Sequence, residues 1–190
     1  ANYKQIEDGL KKNNINRNPM DYFKILAPTR LLVSDFFPSE DYVKRINAWS
    51  VADFLEEKSE NRIDRITSAA DPRSIVRVKP GVEFEGTASI LFFDNDCDMV
   101  SRYLNTFATG LRLLEETYLG GSGSRGYGRV RFKELGVSGF KISKRDEAPV
   151  IEDIKELSKK YSSIDELAGE IEKIAAVIRA KIYGSTSCES

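Results

Sequence analysis

Histidine is absent from the 190 residues, and that absence excludes more chemistry than any other feature of the chain. Without imidazole there is no Ser-His-Asp triad, no Cys-His pair, no HExxH zinc site and no imidazole acid–base step. Cysteine is scarce. Cys97 and Cys188 stand far apart and no CxxC occurs, so zinc and redox motifs are unsupported. Two scattered cysteines suit a reducing cytosol, where disulfides are rare. No apolar run approaches a membrane span, and the opening Ala1-Asn2-Tyr3-Lys4-Gln5 does not read as a signal peptide. Neither sign of charge dominates, with 29 Lys plus Arg against 30 Asp plus Glu. What is present is a 41% apolar share beside 31% charged residues. That is enough for a real core under a charged surface, and it excludes a globally disordered chain. The length fits one domain, or one domain with an appended helical piece.

The charges are unevenly placed. Residues 120–145 hold seven cations (Arg125, Arg129, Arg131, Lys133, Lys141, Lys144 and Arg145) and one anion, Glu134. Residues 146–190 hold ten anions and six cations. A basic block followed by an acidic tail suggests a polyanion-binding face attached to a non-binding extension. The plainer alternative is a mixed, solvated surface.

Hydrophobic spacing predicts a short helix over residues 3–12, then a loop over 13–19. Residues 30–37 (RLLVSDFF) read as a strand closed by Pro38, and Pro38-Ser39-Glu40-Asp41 as the start of a short helix or turn. Residues 49–80 are poor in apolar side chains and read as an excursion from the core, a hairpin or lobe. Alternation over 82–93 predicts the clearest strand, with a bulge at Gly86. Helical spacing over 97–118 predicts an amphipathic helix stopped by Gly120-Gly121. Residues 128–133 (GRVRFK) read as a strand with Val130 and Phe132 on one face and Arg129, Arg131 and Lys133 on the other. Residues 139–143 continue or pair with it. After Pro149 a helical stripe is expected through Ile154, Leu157 and Tyr161. Ser163-Ile164-Asp165-Glu166 reads as a capping box that opens a second helix ending at Gly184. Residues 185–190 read as a disordered tail. This order is α+β, and its core resembles the second half of a ferredoxin-like unit.

Residues 119–128 read LGGSGSRGYG. The GxGxxG within them lacks the preceding strand and following helix of a dinucleotide fingerprint. A Walker A loop fails as well, because Tyr127-Gly128 stand where Lys-Ser/Thr is required. Five glycines and two serines leave backbone N–H groups uncovered, and oriented N–H groups form anion nests. Arg125 offers a bidentate phosphate donor and Tyr127 a ring that can stack on a base. The same glycines equally suit a tight helix-to-strand turn with φ > 0.

LEETYLGGSGSRGYGRVRF (residues 114–132) resembles the glycine-rich signature of the RAMP superfamily of CRISPR proteins, and within it the Csm-type repeated backbone subunit of type III effector complexes. Three further pieces are similar in order: PTRLLVSDFFPS (28–39), NRIDRITSAADPRSIVRV (61–78) and PGVEFEG (80–86). The resemblance covers roughly residues 27–145. It implies a ferredoxin-like, RRM-type RAMP core over residues 1–145, incomplete at the N-terminus, with a thumb-like insertion at about 40–80. Residues 146–190 then form a C-terminal helical extension and tail. It implies RNA contact by Gly120, Gly121, Ser122, Gly123, Ser124, Arg125, Gly126, Tyr127, Gly128, Arg129, Arg131 and Lys133, and by Arg65, Arg73 and Arg77 of the thumb. The implied partners are CRISPR guide RNA, target RNA and other effector-complex subunits in antiviral defence, with head-to-tail self-association and no membrane. The expected place is the cytoplasm.

The resemblance also implies cutting of target RNA with divalent magnesium or manganese by the intact subunit. The family's cutting aspartate and its guide-contacting helix lie N-terminal to the matched region, and the chain, which starts without Met, reads as beginning after both. No catalytic residue and no metal ligand is therefore assigned, and Asp35, Asp64 and Asp71 are not promoted to that role. No cofactor is expected in this chain itself. A guide-maturing RAMP nuclease fits less well, because such enzymes often use histidine. The remaining alternatives are a protein-interaction module or another RAMP RNA-binding protein without a nuclease role. A half sheet leaves an edge that favours pairing with another chain.

Overall fold

The computed structural model describes residues 3–12, 18, 29–94, 96–145 and 148–184. Apart from Asn18, the loop expected at 13–19 lies outside them, as does the tail expected at 185–190. The chain forms two compact units, one of residues 30–89 and one of residues 1–29 with 90–190. Helices and strands are mixed in an α+β arrangement, and every sheet among the described residues has two strands.

In the 30–89 unit, the expected strand at 30–37 is split into β1 (Leu31–Val33) and β2 (Phe37–Pro38). The long strand expected over 82–93 is likewise split into β5 (Phe84–Glu85) and β6 (Ala88–Ile90). β1 pairs with β6 and β2 with β5. The break falls at Gly86, where the Phe36 ring occupies the space of a Cβ, 2.6 Å from its ideal position. Ser34 and Thr87 bridge it: each backbone N–H donates to the other residue, Ser34 to the Thr87 carbonyl and Thr87 to Ser34 Oγ. Helix α2 (Glu40–Ile46) starts as expected, with Ser39 Oγ accepting the Tyr42 N–H at 3.2 Å. The excursion is a hairpin of β3 (Leu55–Ile63) and β4 (Ala70–Val78), antiparallel over nine residue pairs. Its turn is tied by Asp64, whose Oδ1 accepts the Ile66 and Thr67 N–H groups at 2.8 Å. Those two bonds, Thr67 first, hold the Asp64 carboxyl below the usual carboxylate range.

The other unit holds the main apolar core. Helix α1 (Tyr3–Lys12) forms where expected. Helix α3 (Val100–Glu116) follows a 3-10 turn at Cys97–Met99. Cys97 is disulfide-bonded, which corrects the expectation of a reduced thiol at that position. Strands β7 (Leu135–Val137), β8 (Phe140–Arg145), β9 (Ala148–Asp153) and β10 (Lys159–Tyr161) form two antiparallel pairs, β7 with β10 and β8 with β9. Helix α4 (Ile164–Ile178) closes the unit, followed by one π turn at Arg179–Tyr183 and a left-handed Gly184.

Two expectations are corrected here. Residues 148–161 are not a helix but β9, a 3-10 turn and β10. Pro149 has no N–H to give a helix or an inner ladder, and it sits near the hairpin end opposite Lys144. Ile154, Leu157 and Tyr161 are nonetheless buried in the core, so the apolar stripe was right and its period wrong. Residues 128–133 carry no strand ladder.

The start of α4 also refines the expected capping box. Ser163 Oγ accepts the Glu166 N–H at 3.2 Å, but the Glu166 carboxylate returns to Ser162, accepting its N–H at 2.8 Å and its hydroxyl at 2.7 Å. Those bonds hold the Glu166 carboxyl below its ordinary range. Ile164, Leu167, Ile171, Ile174 and Ile178 are all buried, the stripe that helical spacing predicts.

Candidate nucleic-acid interface

The basic segment begins where α3 ends. Past Thr117 the chain enters a loop that the Leu119 N–H closes by donating to the Gly128 carbonyl at 2.8 Å. Inside, Ser122 takes φ 62, Gly123–Arg125 form one 3-10 turn, and Gly126 takes φ 81. Arg125 is tied back into this turn, its Nη2 donating to Ser122 Oγ at 2.7 Å. Gly120, Gly121, Ser122, Gly123, Ser124, Arg125, Gly126 and Gly128 thus lie on one short closed loop, where glycine and a single αL serine allow the reversals.

Beyond the neck, residues 129–133 alternate in exposure. Arg129, Arg131 and Lys133 are exposed, and Val130 and Phe132 are half-buried. The alternation expected of a strand is present although the ladder is not. Arg129 and Arg131 form no ion pair among the described residues, so their charge faces solvent beside the loop.

Tyr127 is a correction. It is buried to 6% exposure, so its ring is not presented for stacking. The ring at the loop surface is Tyr118, 47% exposed and filling the space a Gly123 side chain would need. Sequence reading passed over Tyr118 because it was counted in the helical stripe, whereas the helix stops at Glu116.

The arginines expected on a thumb, Arg65, Arg73 and Arg77, lie in the 30–89 unit and differ in kind. Arg73 stands across the ladder from Glu60, with their side chains 3.4 Å apart. Arg77 stands across from Glu56, at 2.5 Å. Both cations are therefore matched by carboxylates on the facing strand, as cross-strand pairs commonly are. Arg65 is exposed in the hairpin turn. Asp64 is committed to that turn, and Asp71 sits opposite Arg62 in the ladder. Among the described residues, no group of three or more acidic or cysteine side chains could hold a metal ion.

The loop's backbone supports a graded prediction. Gly126 and Gly128 both have positive φ, 81° and 75°. A Cβ on Gly126 meets open space, whereas on Gly128 it strikes the Leu119 carbonyl oxygen, with the Leu119 N and C 3.1 Å away. Gly126→Ala is expected to cost about 1 kcal/mol and Gly128→Ala roughly 2–3 kcal/mol, because only the second must open the neck. Chemical denaturation of the two variants checks the order. Equal losses would mean that the neck yields freely.

Comparison with known proteins fits this picture. No protein-family model matches the chain. Five curated proteins do match, and each is named CRISPR system Cms endoribonuclease Csm3. The chain is thereby similar in sequence to proteins of that name, which agrees with the resemblance carried by the glycine loop and its flanking motifs. The relative from Methanothermobacter thermautotrophicus is 42% identical over 106 residues, 55% of this chain and 42% of that protein. That from Streptococcus thermophilus is 40% identical over 106 residues, 56% of this chain and 47% of the relative. That from Methanocaldococcus jannaschii is 31% identical over 160 residues, 82% of this chain and 60% of the relative. The chain thus spans roughly half the length of these relatives. No helix among the described residues is long and apolar enough to cross a membrane.

Proposed function

We propose that this chain binds CRISPR guide RNA as part of the backbone of a type III RNA-guided, RNA-targeting effector complex in the cytoplasm. The observation that carries the reading is the exposed Arg129 and Arg131 beside a closed glycine loop, within a sequence similar to proteins named Csm3. Arginines at successive exposed positions neutralise successive phosphates, and a glycine loop lets the sugar–phosphate chain approach the protein backbone. Gly120 to Gly128 supply the approach, with Arg125, Arg129, Arg131 and Lys133 as cations. Tyr118 is the exposed ring available for a base. In this reading the core is a ferredoxin-like RAMP fold, and the β3–β4 hairpin is its thumb, with Arg65 at the tip. The partners are guide RNA, target RNA, other effector subunits and further copies arranged head to tail.

Cutting of target RNA with magnesium or manganese belongs to this proposal only at the level of the assembled subunit. The first test is a mobility shift of single-stranded RNA over a salt series, where binding should weaken steeply with salt and show little sequence preference. The second is incubation of this chain with a guide–target duplex and either metal ion. The duplex is expected to stay intact, since Asp64 and Asp71 are engaged in the hairpin. Regularly spaced cuts abolished by Asp64→Ala or Asp71→Ala would overturn that assignment. Salt-insensitive or undetectable RNA binding would overturn the reading itself.

A further inference from the structure

Helix α3 ends against its own dipole. Its last turn carries Glu115 and Glu116 and no basic residue, whereas cations are favoured at a helix C-terminus. These carboxylates also stand close in sequence to a loop read as a phosphate site, where negative charge repels the ligand. Glu115 has a structural use that offsets both costs. Its Oε1 accepts the backbone N–H of Phe132 at 2.7 Å, and both residues are half-buried. The Leu119 N–H bond to the Gly128 carbonyl joins the same two arms. Residues 115 and 119 lie four apart on the outgoing arm, and 128 and 132 lie four apart on the returning arm. Together the two bonds form a two-rung clamp at the base of the loop.

Arg129 and Arg131 fall between the rungs on the returning arm, in a segment with no strand ladder. In a sheet, ladder bonds would set the twist of such a segment and so the direction of its side chains. Here the rungs take over that task. We propose that Glu115 is a positioning residue for RNA binding: by accepting the Phe132 N–H it fixes the twist of residues 129–131, so that both arginines project together beside the glycine loop. The proposal rests on the RNA-binding reading above. A carboxylate suits this role because a charged acceptor makes a shorter, stronger bond to an amide than a neutral one. Glu116 is exposed and provides an internal control of equal charge.

The test compares Glu115→Ala, Glu115→Gln and Glu116→Ala in the 190-residue chain. Single-stranded RNA affinity is read by mobility shift, and the Phe132 amide by hydrogen exchange in the RNA-free protein. Glu115→Gln keeps an acceptor oxygen and removes the charge. It is expected to hold affinity within about twofold and to keep the Phe132 amide protected. Glu115→Ala is expected to weaken binding roughly tenfold and to deprotect that amide. Glu116→Ala is expected to leave affinity unchanged or slightly tighter.

Tighter binding in both Glu115 variants would make this residue a repulsive charge and overturn the proposal. So would a Gln variant that falls as far as Ala, or an Ala variant that binds RNA like the wild type. Should Glu115→Ala fail to fold, the Gln variant decides, because loss of affinity there with normal melting also refutes an acceptor role. Absence of RNA binding by the wild type would overturn the functional reading and this proposal together. Wild-type binding with an unaffected Ala variant overturns this proposal alone.

Discussion

Replacing Arg125, Arg129 and Arg131 together by alanine is expected to abolish most of the salt dependence of RNA binding. Single-stranded nucleic acid loses about 0.7 in the slope of log K against log salt for each phosphate neutralised, so three contacts give a slope near −2 in the wild type. The triple variant should bring that slope toward zero and weaken binding at low salt by at least about tenfold. The three cations are not equivalent. Arg129 and Arg131 face solvent from the returning arm, whereas Arg125 is tied to Ser122 Oγ at 2.7 Å. Single changes at 129 and 131 should therefore each lower the slope by about 0.7. Arg125→Ala should in addition loosen the 3-10 turn. Arg73→Ala and Arg77→Ala form the contrasting set, because each would leave Glu60 or Glu56 without its cross-strand cation. A triple variant with wild-type affinity and slope would remove the basic loop from the interface.

The class of the fold was readable from spacing because burial repeats along a regular element. The α4 stripe from Ile164 to Ile178 and its Ser163 cap were legible for that reason. The β3–β4 hairpin was legible as an excursion because residues 49–80 have too few apolar side chains to line a core. Spacing failed where two conformations bury the same residues. Ile154, Leu157 and Tyr161 fall three and four apart, as in a helix, yet they reach the core through a 3-10 turn and a short strand. Residues 128–133 alternate as a strand should, but the Phe132 N–H goes to a side chain rather than to a neighbouring strand. No alternation pattern reports which acceptor an amide will find.

At the candidate site the same limit separates what could be read from what could not. The glycines, Arg125, Arg129, Arg131 and Lys133 are contiguous in the chain, so a composition scan collects them. Which ring is outside depends on where the helix stops. Ending α3 at Glu116 releases Tyr118 to lie over Gly123, and the turn that follows folds Tyr127 inward. Glu115 was passed over because an acidic residue in a basic neighbourhood reads as surface charge. The signal available was its position in a final helical turn, where a carboxylate is disfavoured unless something donates to it.

Ile174→Ala is expected to give the largest loss of stability, because its site lies in the main cluster and has little freedom to refill. Ile174 is 7% exposed and packs in the group containing Val100, Leu157, Tyr161, Leu167 and Ile178. Removing most of a buried isoleucine side chain costs the transfer free energy of the lost methylenes plus that of the cavity left behind, about 2–5 kcal/mol. The upper part of that range applies if neighbours cannot move in. Here Ala175, on the same helix, is fully buried, and the surrounding side chains come from α3, α4, β10 and the 3-10 turn at Lys155–Leu157, so collapse would have to shift several elements at once. For a chain of this size each kcal/mol lowers Tm by about 2–4 °C, which predicts a drop of roughly 5–15 °C. The acidic residues of α4, exposed Glu166 and Glu172 and half-buried Glu170, oppose a role in phosphate contact, so the salt slope of RNA binding should be unchanged below the melting transition. Thermal and denaturant unfolding followed by circular dichroism, with mobility shifts on the same samples, measure both quantities. A large fall in RNA affinity with wild-type stability would place this helix at the interface instead of in the core.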